Sequence, residues 1–404
     1  MHPSFHLPLL VALLIPTGCD ALLNSSSPSS SPSPTSSADP ASPLQAHALA
    51  NVPLIKLAWP TLPPDATGYA IERARADGGY IQIASVSPQT TSYSDTSLAP
   101  DTLYSYRVRP AAAPRSAAVS AAAKTSTFHV FDCTYFTNKP DLKSLGVEDI
   151  CVVAGSFFYL LDKPGGGYDM TKPNQAATRQ VARRASDLHQ ILCIDIEHLP
   201  EEPRRAPPTD VQNTLNIYTQ ILAWLRSERP DLKLGFYGSF PRRDYWTPVN
   251  YLQALDHRGE PWWDKQFPEF EKTYKQWQAA NDLFKPLAAK VDYLFPSLYS
   301  FYNDPAGWVY YAKGNILEAK RFGKPVIPFI WMEYHSSTPL IGQQISSEFW
   351  RLQLDTIRQM ADGVVIWGGV HFSTNAPPVN MQWNDADPRW VQTRSFIADL
   401  LTAP

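Results

Sequence analysis

Ile191-Leu192-Cys193-Ile194-Asp195-Ile196-Glu197 is an almost unbroken apolar run that ends on two carboxylates. A strand without polar alternation is one covered on both faces, as in a parallel sheet. Further runs of this kind lie at 128–131, 150–154, 232–237, 293–299, 326–331 and 364–367. The stretches between them have helical spacing. Val211, Leu215, Tyr218, Leu222 and Leu225 share one helical face, with Thr209 as cap and Pro230 as stop, and Ile345, Phe349, Leu352 and Ile357 form a second such face. Seven strands alternating with helices, with no glycine-rich GxGxxG turn after the first, predict a distorted (β/α) barrel of about seven strands over 127–404.

A barrel of this kind carries its chemistry at the C-terminal ends of its strands. Asp195 and Glu197 stand two apart on one strand and so face the same way, with Cβ atoms roughly 6 to 7 Å apart. Like charges at that spacing raise one carboxyl pKa, leaving a protonated acid beside an ionised neighbour. Cleavage of a glycosidic bond uses both: a proton for the leaving oxygen and negative charge beside a developing cation. Tyr237, Tyr299, Trp331, Tyr334 and Trp367 fall at neighbouring strand ends, where rings stack on sugar faces and hydroxyls orient them. Glu333, also at a strand end, is a further substrate-binding candidate. Arg242 and Arg243 could meet a uronic acid carboxylate but read as solvated, and His198, His335 and His371 read as structural.

The 404 residues exceed one ordinary domain, and 35 Lys and Arg against 38 Asp and Glu leave a net charge of -3. With no basic run, nucleic acid is not an expected partner. The cysteines, Cys19, Cys133, Cys151 and Cys193, have no zinc-ligand spacing, so neither metal nor cofactor is expected. The apolar stretch 7–15 is too short to span a bilayer but suits a signal peptide, and Ile15-Pro16-Thr17-Gly18-Cys19 resembles a bacterial lipobox with Cys19 as the acylated residue. Residues 1–19 are thus expected to be a lipoprotein signal, and the Ser/Pro-rich stretch 20–48 a disordered tether. Over 49–126 short runs alternate with a period of two, predicting a β-sandwich. Leu57-Ala58-Trp59, Gly68-Tyr69-Ala70-Ile71-Glu72-Arg73 and Leu98-Ala99-Pro100-Asp101-Thr102-Leu103-Tyr104-Ser105-Tyr106-Arg107-Val108 resemble the fibronectin type III family, with Tyr104 as the corner tyrosine.

The barrel region resembles the hyaluronidase family of glycoside hydrolases. The motifs that carry the likeness are Ile194-Asp195-Ile196-Glu197, Leu234-Gly235-Phe236-Tyr237-Gly238-Ser239-Phe240-Pro241, Leu294-Phe295-Pro296-Ser297-Leu298-Tyr299, Pro325-Val326-Ile327-Pro328-Phe329 and Gly363-Val364-Val365-Ile366-Trp367-Gly368, in that order. The resemblance implies retaining hydrolysis in which the substrate's own 2-acetamido oxygen is the nucleophile. Glu197 would be general acid and then base, Asp195 would orient the acetamide, Tyr237 and Tyr299 would hold it, and Trp367 would cover its methyl group. The expected protein is an extracytoplasmic, lipid-anchored monomer of the bacterial envelope, acting on an N-acetylhexosamine-containing polysaccharide and touching the membrane only through the anchor. Two other readings are a non-catalytic surface lectin, and a hydrolase of non-acetylated glycans with Glu333 as second carboxylate.

Overall fold

The computed structural model describes residues 44–48, 55–60, 67–75, 78–96, 98–99, 102–110, 119–124, 128–161, 168–185 and 191–401. Cys19, the signal stretch and the tether up to residue 43 lie outside the described residues. Two compact units form. One comprises Phe131–Asp141 and Glu148–Arg389; the other comprises the described residues up to Val130, together with Leu142–Val147 and those from Trp390 onward.

The N-terminal unit is built from β1 (Gln45–Ala48), β2 (Ile55–Ala58), β3 (Tyr69–Arg75), β4 (Ile81–Val86), β5 (Ser92–Asp95), β6 (Leu103–Pro110) and β7 (Val119–Lys124). They form two antiparallel sheets, β1-β2-β5 and β4-β3-β6-β7. β1 falls within the stretch expected as tether, so the sandwich begins earlier than the expected boundary at 49. Leu44 is buried, and Gln45–Ala48 pairs with β2 from Gln45↔Ala58 to Ala48↔Ile55. Alternation explains the core: Ile55 and Leu57 point inward from β2, and Tyr104, Tyr106 and Val108 from β6. The Tyr104 hydroxyl accepts the Ala99 N–H at 2.8 Å, which is the expected corner. Buried charge is paired: Glu72 accepts from Arg109 and Arg107, which hold its carboxyl below the usual range, and Asp95 accepts from Arg73 and Tyr106.

The second unit is mixed α/β. Its strands are β8 (His129–Thr134, in this unit from Phe131 on), β9 (Glu148–Asp149), β10 (Cys151–Ala154), β11 (Tyr159–Leu161), β12 (Tyr168–Pro173), β13 (Ile191–Asp195), β14 (Lys233–Phe236), β15 (Phe329–Trp331), β16 (Gly363–Gly368), β17 (Val370–His371) and β18 (Val379–Asn380). Its helices are α1 (Gln175–Ala185), α2 (Pro208–Glu228), α3 (Trp246–Asp256), α4 (Pro261–Asp282), α5 (Lys285–Ala288), α6 (Pro305–Lys320), α7 (Ser347–Met360) and the start of α8 (Pro388–Leu401). β10, β13 and β14 pair in parallel, as do β8 with β9 and β15 with β16, and β16 neighbours β8. β11 and β12 form an antiparallel hairpin that the apolar runs did not signal.

The strand expected over 293–299 is instead a series of single parallel bridges, Tyr237↔Phe295, Leu294↔Val326 and Ser297↔Phe329. Pro296 supplies no N–H in this stretch, and Pro325 and Pro328 shorten the next strand to Phe329–Trp331. Thr209 is not the cap of α2, which starts at Pro208 after Pro207, whereas Ser346 caps α7 by accepting the Phe349 N–H. Gly235 lets β14 approach the 293–299 segment, since a Cβ there would lie 2.6 Å from the Tyr293 carbonyl oxygen. Phe131, Cys133, Ile150, Val152, Ile191, Cys193, Phe295, Ile327 and Val365 fill the space between the strands, with Tyr237, Tyr299 and Trp331 in the same core. Among the described residues no helix is long and apolar enough to cross a membrane.

Candidate functional site

β13 ends at Asp195, and the chain leaves it through buried Ile196 to Glu197, whose side chain is open to solvent while Asp195 is half-buried. Protein close around the Glu197 carboxyl nevertheless desolvates it, and this raises its pKa; Arg243 and then Arg242 oppose the rise. Burial is thus the leading cause, rather than the Asp195 charge invoked from the spacing of the two carboxylates. Both conditions for a general acid, a raised pKa and a route to solvent, meet at Glu197.

Tyr237 and Tyr299 stand beside this pair. Tyr237 is buried, donates to Ser297 Oγ at 3.0 Å, and has its phenol raised by burial and by the Glu197 charge. Its ring lies 5.9 Å from that of Tyr299, whose phenol is raised by burial first and by the Tyr237 and Asp195 charges in part. Trp331 and Trp367 meet edge to face at 4.6 Å, and Tyr299 lies 5.6 Å from the first and 5.9 Å from the second. Tyr135 adds its ring to Trp367 at 6.4 Å. The thiols of Cys133 and Cys193 underlie Asp195; both are buried and free, and burial pushes Cys133 up to about 12.

Tyr334 and Glu333 have partners of their own. Tyr334 donates to Asn303 Oδ1 at 2.9 Å, and the Glu333 carboxyl, 2% exposed as a residue, faces His371 Nδ1 at 3.6 Å with its pKa raised by burial. That placement gives no support to Glu333 as the second carboxylate of a two-carboxylate mechanism.

Several residues at the site escaped the reading of strand ends. Arg243, read as solvated, donates to Ser297 Oγ at 3.3 Å and lies 4.3 Å over the Phe301 ring, and its charge reaches Glu197 and Tyr237. Arg242, read likewise, bonds Glu201, a buried carboxylic acid that also accepts from Ser239 Oγ at 3.1 Å. Burial pushes Glu201 up to about 7, against the pull of Arg242. His335 stacks within the aromatic group, 4.7 Å from Phe301 and 5.9 Å from Tyr299, and burial and Arg243 push it down to about 3. It is therefore a neutral imidazole, and because Nδ1 accepts the Ser337 N–H at 3.1 Å its proton is assigned to Nε2. The signal available in the sequence was Pro241-Arg242-Arg243, directly beyond a strand end and its glycine. Gly238, at φ +61, is the left-handed position that turns this segment after β14.

Among the described residues no group of three or more His, Cys, Asp or Glu is placed to hold a metal ion. No known protein family matches the chain, and no curated protein matches it. Solved structures match its N-terminal part. The fn3 domain of human collagen alpha-1(XX) chain is 18% identical, covering 24% of this chain and 89% of that one at a TM-score of 0.18. An Fn3-like protein from Clostridium thermocellum is 26% identical, covering 20% and 83% at 0.17. The fn3 domain of human contactin 1 is 22% identical, covering 25% and 95% at 0.17. The N-terminal β-rich region resembles fibronectin type III sandwiches in its two antiparallel sheets and its Tyr104 corner.

Proposed function

We propose that the second unit is a glycoside hydrolase that cleaves an N-acetylhexosamine-containing polysaccharide with retention, using the substrate's 2-acetamido group as nucleophile. The observation that carries this reading is the Glu197 carboxyl, raised by desolvation yet open to solvent, whose charge reaches Tyr237, with Tyr237 against Tyr299 and Tyr299 in turn against Trp331 and Trp367. In the first step the acetamido oxygen attacks the anomeric carbon, the glycosidic C–O bond breaks, and the proton on Glu197 passes to the leaving oxygen. Asp195 orients the acetamide and faces the positive charge that grows on it. In the second step water attacks the anomeric carbon, Glu197 takes its proton, and the acetamide is restored. Tyr237 and Tyr299, both neutral phenols, hold the acetamide, and Trp367 covers its methyl group.

On this reading the parallel strands and the bridged 293–299 segment make up the distorted seven-strand barrel of the hyaluronidase resemblance, with the sandwich and a lipid anchor at Cys19 holding the enzyme at the envelope. The test is to incubate the chain with hyaluronan, chondroitin, chitin and peptidoglycan and to count new reducing ends beside a Glu197→Gln control. Glu197→Gln should lose roughly 10²- to 10⁴-fold in turnover. Asp195→Asn should be equally impaired and should not be rescued by azide. An inverted glycosyl azide from Asp195→Asn, or equal turnover of substrates with and without the acetamido group, rules out the mechanism.

A further inference from the structure

The chain after β14 and the chain through the bridged 293–299 segment stay in contact beyond the candidate site. The Tyr237 ring meets Tyr299 at 5.9 Å, the Arg243 guanidinium lies 4.3 Å over Phe301, and the Trp246 ring meets Tyr302 at 5.2 Å. Burial changes along this series. Tyr237 and Tyr299 are buried, whereas Trp246 is 51% and Tyr302 41% exposed. Tyr302 follows three residues after Tyr299, a span of at most about 10 Å, so the exposed pair sits next to the buried one. The exposed pair is held in place. Trp246 Nε1 donates to the Tyr302 hydroxyl at 3.3 Å, and Tyr245 packs edge to face against both rings, at 4.9 Å from Trp246 and 4.7 Å from Tyr302. Tyr245 stacks in turn on buried Tyr311 at 4.9 Å, whose hydroxyl donates to the Ser297 carbonyl at 2.8 Å. The backbone on either side is fixed as well: the Asp244 carboxylate accepts the Thr247 N–H and the Asp304 carboxylate accepts the Gly307 N–H, both at 2.9 Å.

We propose that Trp246 and Tyr302 form a second sugar-binding subsite, on which units of the glycan chain stack beyond the bond that is cleaved. The inference deepens the glycosidase reading and rests on it for the identity of the ligand. Exposed apolar side chains standing singly need no explanation, but two adjoining aromatic rings with polar tips, locked by a third ring, make a surface ordered in advance. Such order removes the entropy cost of fixing the rings when a ligand binds. A pyranose offers what this surface takes: a face of C–H groups for the rings and hydroxyls for the tips. Tyr302 accepts from Trp246, and no hydrogen bond to another described residue engages its own O–H, which is left to donate to a sugar hydroxyl. Continuity with Tyr237 and Tyr299 selects the occupant, because a polymer whose cleaved bond lies at the buried pair has further units to place within about 10 Å of it. The subsite therefore favours a long glycan chain over a short one.

The test is steady-state kinetics of the full chain and of Trp246→Ala, Trp246→Phe and Tyr302→Ala on whichever of hyaluronan, chondroitin, chitin and peptidoglycan is hydrolysed. Beside it, octasaccharides of the same four glycans are titrated calorimetrically in a Glu197→Gln background, which keeps them intact. Trp246→Ala should raise KM by about ten-fold and leave kcat within about two-fold, because the subsite touches no reacting atom. Trp246→Phe, which keeps a ring, should bring KM part of the way back, and Tyr302→Ala should raise it as well. An octasaccharide should also shift the Trp246 indole N–H resonance in NMR spectra. An unchanged KM in folded Trp246→Ala and Tyr302→Ala overturns the proposal and leaves the hydrolase reading intact. A fall in kcat at constant KM overturns it too, since it places Trp246 in the chemistry. Should Trp246→Ala fail to fold, Tyr302→Ala decides alone. If no glycan is hydrolysed but an octasaccharide binds about ten-fold more weakly to Trp246→Ala, the hydrolase reading falls and the subsite stands. If no octasaccharide binds, the subsite falls. Self-association that Trp246→Ala abolishes in sedimentation would assign the surface to a second copy of the chain and overturn the proposal.

Discussion

Gly235→Ala tests how β14 meets the bridged segment that follows it. A Cβ at Gly235 would lie 2.5 Å from Cε2 and 2.7 Å from Cδ2 of Phe295, and 2.6 Å from the Tyr293 carbonyl oxygen. The ring could rotate away, but the carbonyl belongs to the neighbouring backbone. That backbone is tied to β14 where the Asp292 N–H donates to the Leu234 carbonyl at 2.8 Å and the Gly238 N–H donates to the Phe295 carbonyl at 2.9 Å. Relief therefore means separating the two segments. Overpacking costs about 1–3 kcal/mol and each weakened hydrogen bond about 1 kcal/mol, against a gain of about 0.4–1 kcal/mol from a stiffer unfolded chain, for a net loss of about 2–4 kcal/mol. Urea unfolding followed by tryptophan fluorescence should show a lower midpoint with an unchanged slope. Gly79→Ala is the control, because its added Cβ would meet nothing within 4 Å, and it should shift stability by no more than about 0.5 kcal/mol. Equal midpoints for Gly235→Ala and Gly79→Ala would refute the close approach of the two segments.

Three further outcomes are expected. Because the folded Glu201 carboxyl is raised from 4.5 to about 7, the native state holds the proton more tightly than the unfolded chain; stability should fall as pH rises from about 4.5 through about 7, and Glu201→Gln should flatten that fall in denaturation series. The imidazole of His335, pushed down to about 3, should show no NMR titration between pH about 5 and 8, the range in which an ordinary histidine ionises. Tyr104→Phe should destabilise the sandwich by about 1 kcal/mol in thermal unfolding, since the Ala99 N–H loses its acceptor.

Strand existence was legible where burial on both faces makes the residues uniformly apolar, as in Ile191-Leu192-Cys193-Ile194, because no tertiary detail is needed to predict where such a run goes. Strand regularity was not. Apolar spacing is blind to the missing N–H of Pro296, which breaks a continuous ladder into single bridges while the side chains of Phe295 and Leu298 stay buried. Parity arguments also fail past the last bonded residue of a strand. Glu333 is two beyond Trp331, yet β15 ends at Trp331, and the chain folds back through Tyr334 N–H to Gln343 O and Ile345 N–H to Met332 O. Glu333 thereby comes to face His371.

The arginines mark the limit of a one-dimensional reading at the site. Taken by residue type, Arg242 and Arg243 after a strand end belong in solvent, where a charge costs least. What draws them in is a set of acceptors from distant parts of the chain: Glu201 from the loop after β13, Asn281 from α4 and Ser297 from the bridged segment. None of these is spaced from the arginines by a period that a helix or strand would impose. The carboxyls at 195 and 197 could be seen from sequence because they close one apolar run, whereas the charges that tune Glu197 depend on three segments meeting. The two carboxyls are thus written locally, and the pKa of Glu197 is written in the fold.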